Sequence, residues 1–159
     1  MSFDVRSHAS HLCLAALLMG CAGVPTVEAA KCGGTNINNL LSWEESEIAK
    51  GTTMATMRLT SVTYSDDPKA PYHLASGECI GTHLAGPSGN RESGFCARRD
   101  KDGDVLYEEW VSTDGQGSKG TARNVGGTGK FSKASGSMQW EFSPLQGKMG
   151  AVRWSGDCQ

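Results

Sequence analysis

The stretch from Ser76 to Phe142 decides the fold. It opens SGECIGTHLAGPSGNRESGFCARRDKDGDVLYEEW (76–110) and ends GGTGKFSKASGSMQWEF (126–142). Short runs with period-two alternation are separated by clusters of Gly, Asn and Asp. That is the pattern of antiparallel strands joined by tight turns. Two cysteines punctuate it: Cys79 and Cys96 flank the Gly86–Asn90 turn almost symmetrically, seven residues before it and six after it. A hairpin there sets them directly opposite each other, close enough to bridge.

Outward from this stretch, the same texture continues. Thr52–Tyr64 is rich in Thr, Val, Met and Tyr and reads as a long strand. Asp66–Tyr72 carries two Pro and two Asp and reads as a loop. Leu40–Lys50 admits a short capped helix starting at Ser42, but the alternation of Trp43, Glu45 and Glu47 favours a strand. Lys31–Asn39, polar and Gly/Asn-rich, reads as a loop. Further strands are expected at Glu78–Leu84, Arg91–Arg99, Val105–Ser112, near Ser118–Val125, at Lys130–Lys133, Ser137–Ser143 and Ala151–Ser155. Eight or nine short strands in one domain predict an all-β sandwich or closed barrel.

Composition narrows the function classes. The 159 residues suffice for one domain, and 21 Gly with only 5 Pro fit many tight turns. A formal charge of -2 without a basic run gives no electrostatic case for a nucleic-acid partner. Residues 1–29 read as an export signal. Leu12–Val24 is uncharged and about the size of a signal-peptide core, shorter than the ~20 residues a span needs. Its leader is weakly basic, with Arg6 opposed by Asp4. Two cleavage readings stand. Leu18-Met19-Gly20-Cys21 resembles a lipobox that would make Cys21 a lipid anchor, and Val27-Glu28-Ala29 resembles an ordinary peptidase site. The expected location is the periplasm or the outer membrane through a lipid anchor, alternatively outside the cell.

Export leaves residues 30–159 as the domain, with Cys32, Cys79, Cys96 and Cys158 in an oxidising compartment. Three pairings are possible. Cys79–Cys96 within the hairpin leaves Cys32–Cys158 to join the chain's two ends. Zinc is the rival, but no C-x-x-C spacing occurs.

The arrangement G-E-C-x-G-T (77–82), S-G-F-C (93–96), D-x-D-G-D (100–104) and G-G-T-G-K-F-x-x-A-S-G (126–136) resembles exported bacterial members of the allene oxide cyclase-like barrels. The last element is also similar to the plant dirigent proteins. The resemblance implies an eight-stranded antiparallel barrel whose cavity takes a small apolar molecule. No catalytic residues of those families map onto a motif here.

The residues are also read without the resemblance. In GGTGKF, consecutive glycines make a sharp corner, Phe131 turns inward as a plug and Lys130 points to water. Asp100, Asp102 and Asp104 form a hairpin turn around Asp102-Gly103, with a weak surface calcium site as the alternative. His83, Arg98 and Glu78 are polar candidates. His83 and Arg98 share the face of Cys79 and Cys96, opposite Ile80, Leu84, Phe95 and Ala97. Burying an apolar side chain is worth ~1.5–3 kcal/mol, so the His83–Arg98 face is expected outside. Met138, Trp140 and Phe142 alternate with polar residues and are expected to form core or to line a ligand cavity. Between Val105 and Ser112 each face carries a carboxylate, and Glu108 is the candidate lumen group because Trp110 shares its side.

No G-x-S-x-G, H-E-x-x-H or Cys–His nucleophile arrangement occurs. These features predict a non-catalytic exported barrel that either binds a small apolar ligand or simply serves as a cell-envelope component. The alternatives are a confinement cyclase or dirigent-like protein using Glu108 or Glu78 as its acid, and an oligomeric envelope protein whose barrel faces make contacts.

Overall fold

A computed structural model describes residues 30–158. The signal segment, the lipobox cysteine and both cleavage sites lie outside the described residues. Eight strands follow in order: β1 (Ala30–Ala49), β2 (Thr52–Ser65), β3 (Ser76–Gly86), β4 (Gly89–Arg99), β5 (Val105–Ser112), β6 (Lys119–Gly127), β7 (Gly136–Pro144) and β8 (Met149–Cys158). Each pairs antiparallel with the next, and β8 closes on β1 to complete a barrel. Closure removes the exposed sheet edges that an open meander of this length would leave.

Both disulfides form as the spacing suggests. Cys79 lies directly across from Cys96, and Cys32–Cys158 staples the start of β1 to the end of β8.

Two local expectations are corrected. Lys31–Asn39 is the first half of β1, not a loop, hydrogen-bonded on one side to β2 and on the other to β8. Its asparagines are low in strand propensity, yet Asn36 is buried on the inner face, where polar partners compensate. Lys130–Lys133 is not a strand: Gly129–Phe131 is a 3₁₀ turn, with Gly129 at φ 49°.

The barrel has two unlike ends. At one end lie the β2–β3, β4–β5 and β6–β7 connections and the two termini of the barrel. Phe131 plugs it, 4% exposed. Arg153 clamps the β2–β3 loop by donating two 2.7 Å bonds to Asp66, a bidentate pair of the stronger kind. Tyr72 of the same loop packs edge-on against Trp154. At the other end the hairpins β1–β2, β3–β4, β5–β6 and β7–β8 surround a mouth.

The glycine-rich composition has a second use besides turns. Gly34, Gly94 and Gly120 sit within strands, directly opposite Trp154, Trp110 and Trp140. A Cβ added at any of these would come within about 2.5 Å of the facing indole ring. The rings therefore lie flat over bare backbone, which leaves the barrel centre open instead of filled.

Candidate functional site

The lumen is a cavity of about 430 Å³, within the usual range for small-molecule sites. All four tryptophans of the chain line it (Trp43, Trp110, Trp140 and Trp154), together with Met57, Leu59, Met138 and Phe142. The sequence candidates Glu108, Trp110, Met138, Trp140 and Phe142 thus share one cavity. Trp43 reaches it through a bulge in β1 between Leu40 and Ser42, which turns Leu41 out to solvent and Trp43 inward.

The deep end of the lumen is polar. Arg98 donates to Glu108 Oε1 at 2.9 Å and to the hydroxyls of Ser61 and Thr63 at 2.8 and 3.4 Å. The guanidinium and carboxylate are 5% and 12% exposed. Gly77 explains the reach. It lies between Ser61 and Arg98 in the sheet, and the missing side chain lets Arg98 cross β3 to β2. Asn38, directly opposite Ser61, also faces the cavity; its Oδ1 is buried and has no hydrogen-bond partner among the described residues. A buried acceptor left unmatched costs about 1–3 kcal/mol, which a ligand's donor would recover.

This reverses the expected orientation of β3 and β4. The Cys79, Cys96 and Arg98 face looks inward, and Ile80, Leu84 and Phe95 lie outside at 60%, 36% and 42% exposure. The apolar gain lost there is offset by the disulfide and by the Arg98 network, whose partners stand on β2 and β5. Glu78 is on the outer face, near Arg58 at 3.5 Å, so it does not serve as a lumen acid.

The mouth holds a second polar pair, made by His83, which the sequence reading places outside, and by Glu92, which it does not single out. His83 Nδ1 and Glu92 Oε1 are 2.8 Å apart, their side chains 16% and 18% exposed, and Glu92 lines the lumen. The Trp43 ring rests against His83, with centroids 5.4 Å apart. Trp43 also donates its indole N–H to Glu45, which holds that carboxyl below its ordinary range. The β5–β6 loop forms one wall through Gln116, Gly117 and Ser118. Asp114 organises this loop by accepting from the Ser118 hydroxyl and from the amides of Gln116, Gly117 and Ser118. Those bonds, the Ser118 hydroxyl foremost, hold its carboxyl far below the usual range.

The DKDGD and GGTGKF elements meet at the closed end, outside the lumen. Lys130 does not point to water. Its ammonium lies 2.6 Å from Asp100, 2.6 Å from Asp102 and 3.9 Å from Asp104. The cation set among these carboxylates is the protein's own lysine. Among the described residues no cluster of three His, Cys, Asp or Glu side chains is arranged for a metal ion.

Hydrogen bonding to Lys130, then to Lys101, lowers Asp102 from 3.8 to about 2, and Lys130 also lowers Asp100. Groups lowered on folding stabilise the native state above their unfolded values, and that stabilisation is lost as pH falls through the folded ones. The melting-temperature gap between wild type and Lys130→Met is therefore expected to be constant near neutrality and to shrink from about pH 4 to pH 2. Melting curves across that range that keep a constant gap would count against a stabilising role for the Lys130–Asp100–Asp102 cluster.

No family model matches the chain, and no curated protein sequence matches it. Among solved structures the chain is similar to the pterocarpan synthase dirigent protein GePTS1, with a TM-score of 0.51 over 85% of this chain and 93% of that one. The fold is a dirigent-like barrel. At 17% identity the likeness extends to the fold alone.

Proposed function

We propose that the protein encloses a small, largely apolar molecule in the dirigent-like lumen, with a hydrogen-bonding group seated at its polar base. The observation that carries this is the make-up of the lining: four tryptophans share one cavity with Arg98, Glu108 and Asn38, whose Oδ1 is unmatched among the described residues. Aromatic walls supply apolar contact area, and the few polar groups set orientation. Export to an oxidising compartment, with or without a lipid anchor at Cys21, agrees with the two disulfides.

Glu108 favours a second reading, a confinement reaction. A carboxyl inside a mostly apolar cavity is positioned to give or take a proton from an enclosed substrate. Restricting the substrate to one reactive conformer supplies the rest of the rate effect.

Displacement of the fluorescent dye anilinonaphthalene sulfonate, with native mass spectrometry of freshly purified protein, tests the enclosure. Binding that disappears in Trp110→Ala supports it. Failure of any apolar probe to bind the wild-type barrel sinks it. Catalysis is separated from binding by Glu108→Gln, which is expected to retain a bound substrate and lose its conversion.

A further inference from the structure

The lumen is polar at both ends and apolar between them. At its base stand Arg98, Glu108 and Asn38; at its mouth stands Glu92, held by His83. Glu108 lies directly opposite Cys96, and Glu92 is four residues further along β4. At ~3.3 Å per residue, the two poles are about 13 Å apart along the wall. The inner face of β4 between Glu92 and Cys96 carries only Gly94, covered by the Trp110 ring. Met57, Leu59, Met138 and Trp140 complete the apolar middle.

Both poles lack the same thing. A carboxylate has room for about four hydrogen bonds. Glu92 Oε1 is taken by His83, and Oε2 accepts no hydrogen bond from another residue among the described residues. At the base, Asn38 Oδ1 is buried without a donor among the described residues. A structural ion pair would be equally well served on the outer rim, where Arg123 and Glu109 pair in solvent. Here a partly buried carboxylate faces the cavity instead, at the cost of its hydration.

We propose that the ligand is ditopic: an elongated apolar molecule carrying a hydrogen-bond donor at each end, one for Asn38 and Glu108, the other for Glu92. This rests on the lumen being a ligand site and adds the length and end-group chemistry of the occupant. The mouth carboxylates Glu92 and Glu45 select a neutral or cationic outer group and repel an anionic one. Glu92 is a ligand contact, and His83 is a positioning residue that orients it.

Calorimetric titration of the disulfide-intact mature chain with decanol, decanediol (one hydroxyl at each end) and decanediol monomethyl ether tests the idea. A second donor meeting a carboxylate is expected to tighten decanediol by about tenfold or more over decanol. The ether, whose outer oxygen no longer donates, should fall back toward the decanol value. Glu92→Met should erase the diol advantage over decanol, and its circular-dichroism spectrum and melting curve report whether the barrel is intact. Equal affinity for the three ligands would overturn the ditopic assignment alone. A diol advantage that persists in Glu92→Met would do the same. If none of the three binds, the lumen is not an apolar ligand site, and the broader reading fails with this one. The three-ligand comparison on wild-type protein decides the matter even if Glu92→Met does not fold.

Discussion

Arg98→Met lowers the unfolding free energy by about 3–5 kcal/mol, the usual cost of removing one partner from a buried ion pair. Two effects add here. Glu108 is left in the lumen wall without its counter-ion, and the hydroxyls of Ser61 and Thr63 lose the donor that reaches them over Gly77. The double replacement Arg98→Met with Glu108→Leu is expected to recover most of that loss, because an apolar pair of similar volume leaves no unmatched charge. Guanidinium unfolding of the single and double variants measures both values. A loss under about 1 kcal/mol for Arg98→Met would mean that cavity water solvates Glu108 well, and the pair would then not be a structural element of the lumen.

Replacing Cys32 and Cys158 by alanine costs about 4–5 kcal/mol, against about 3 kcal/mol for Cys79 and Cys96, on the chain-entropy account. The first bridge spans 126 residues and the second 17. The long bridge also guards barrel closure, since it locks the β1–β8 seam at the point where both strands end. Loss of the short bridge leaves a hairpin that the β2–β3 and β4–β5 ladders still hold in register. Paired unfolding curves of the two double variants provide the check, and a reversed order of the two losses would rule out this account.

The parts legible in the sequence were those carried by short-range geometry. Cys79 and Cys96 flank one turn symmetrically, so a hairpin register could be read by counting. Glu108 and Trp110 differ by two positions, so they had to share a face of whatever strand they occupied. The inward Phe131 followed from its sharp glycine corner. The illegible parts were those that needed a neighbour. Lys130 was assigned to water because its partners Asp100 and Asp102 lie across a connection some distance away in the chain. The packing role of Gly34, Gly94 and Gly120 is not legible because the rings that cover them belong to other strands. His83 and Arg98 were placed outside by hydrophobicity alone. Their favourable contacts come from Glu92 on β4 and from Ser61, Thr63 and Glu108 on β2 and β5.

The sequence by itself determined an all-β chain, its main hairpins, both disulfides and the pairing of Glu108 with Trp110 on one face, because period-two alternation and turn chemistry are local. Only the tertiary structure decided which face of each strand became the lumen. That choice is made when the barrel closes, and it depends on summed contacts among eight strands rather than on the hydrophobicity of any one. The Arg98–Glu108 base and the His83–Glu92 mouth are products of that closure.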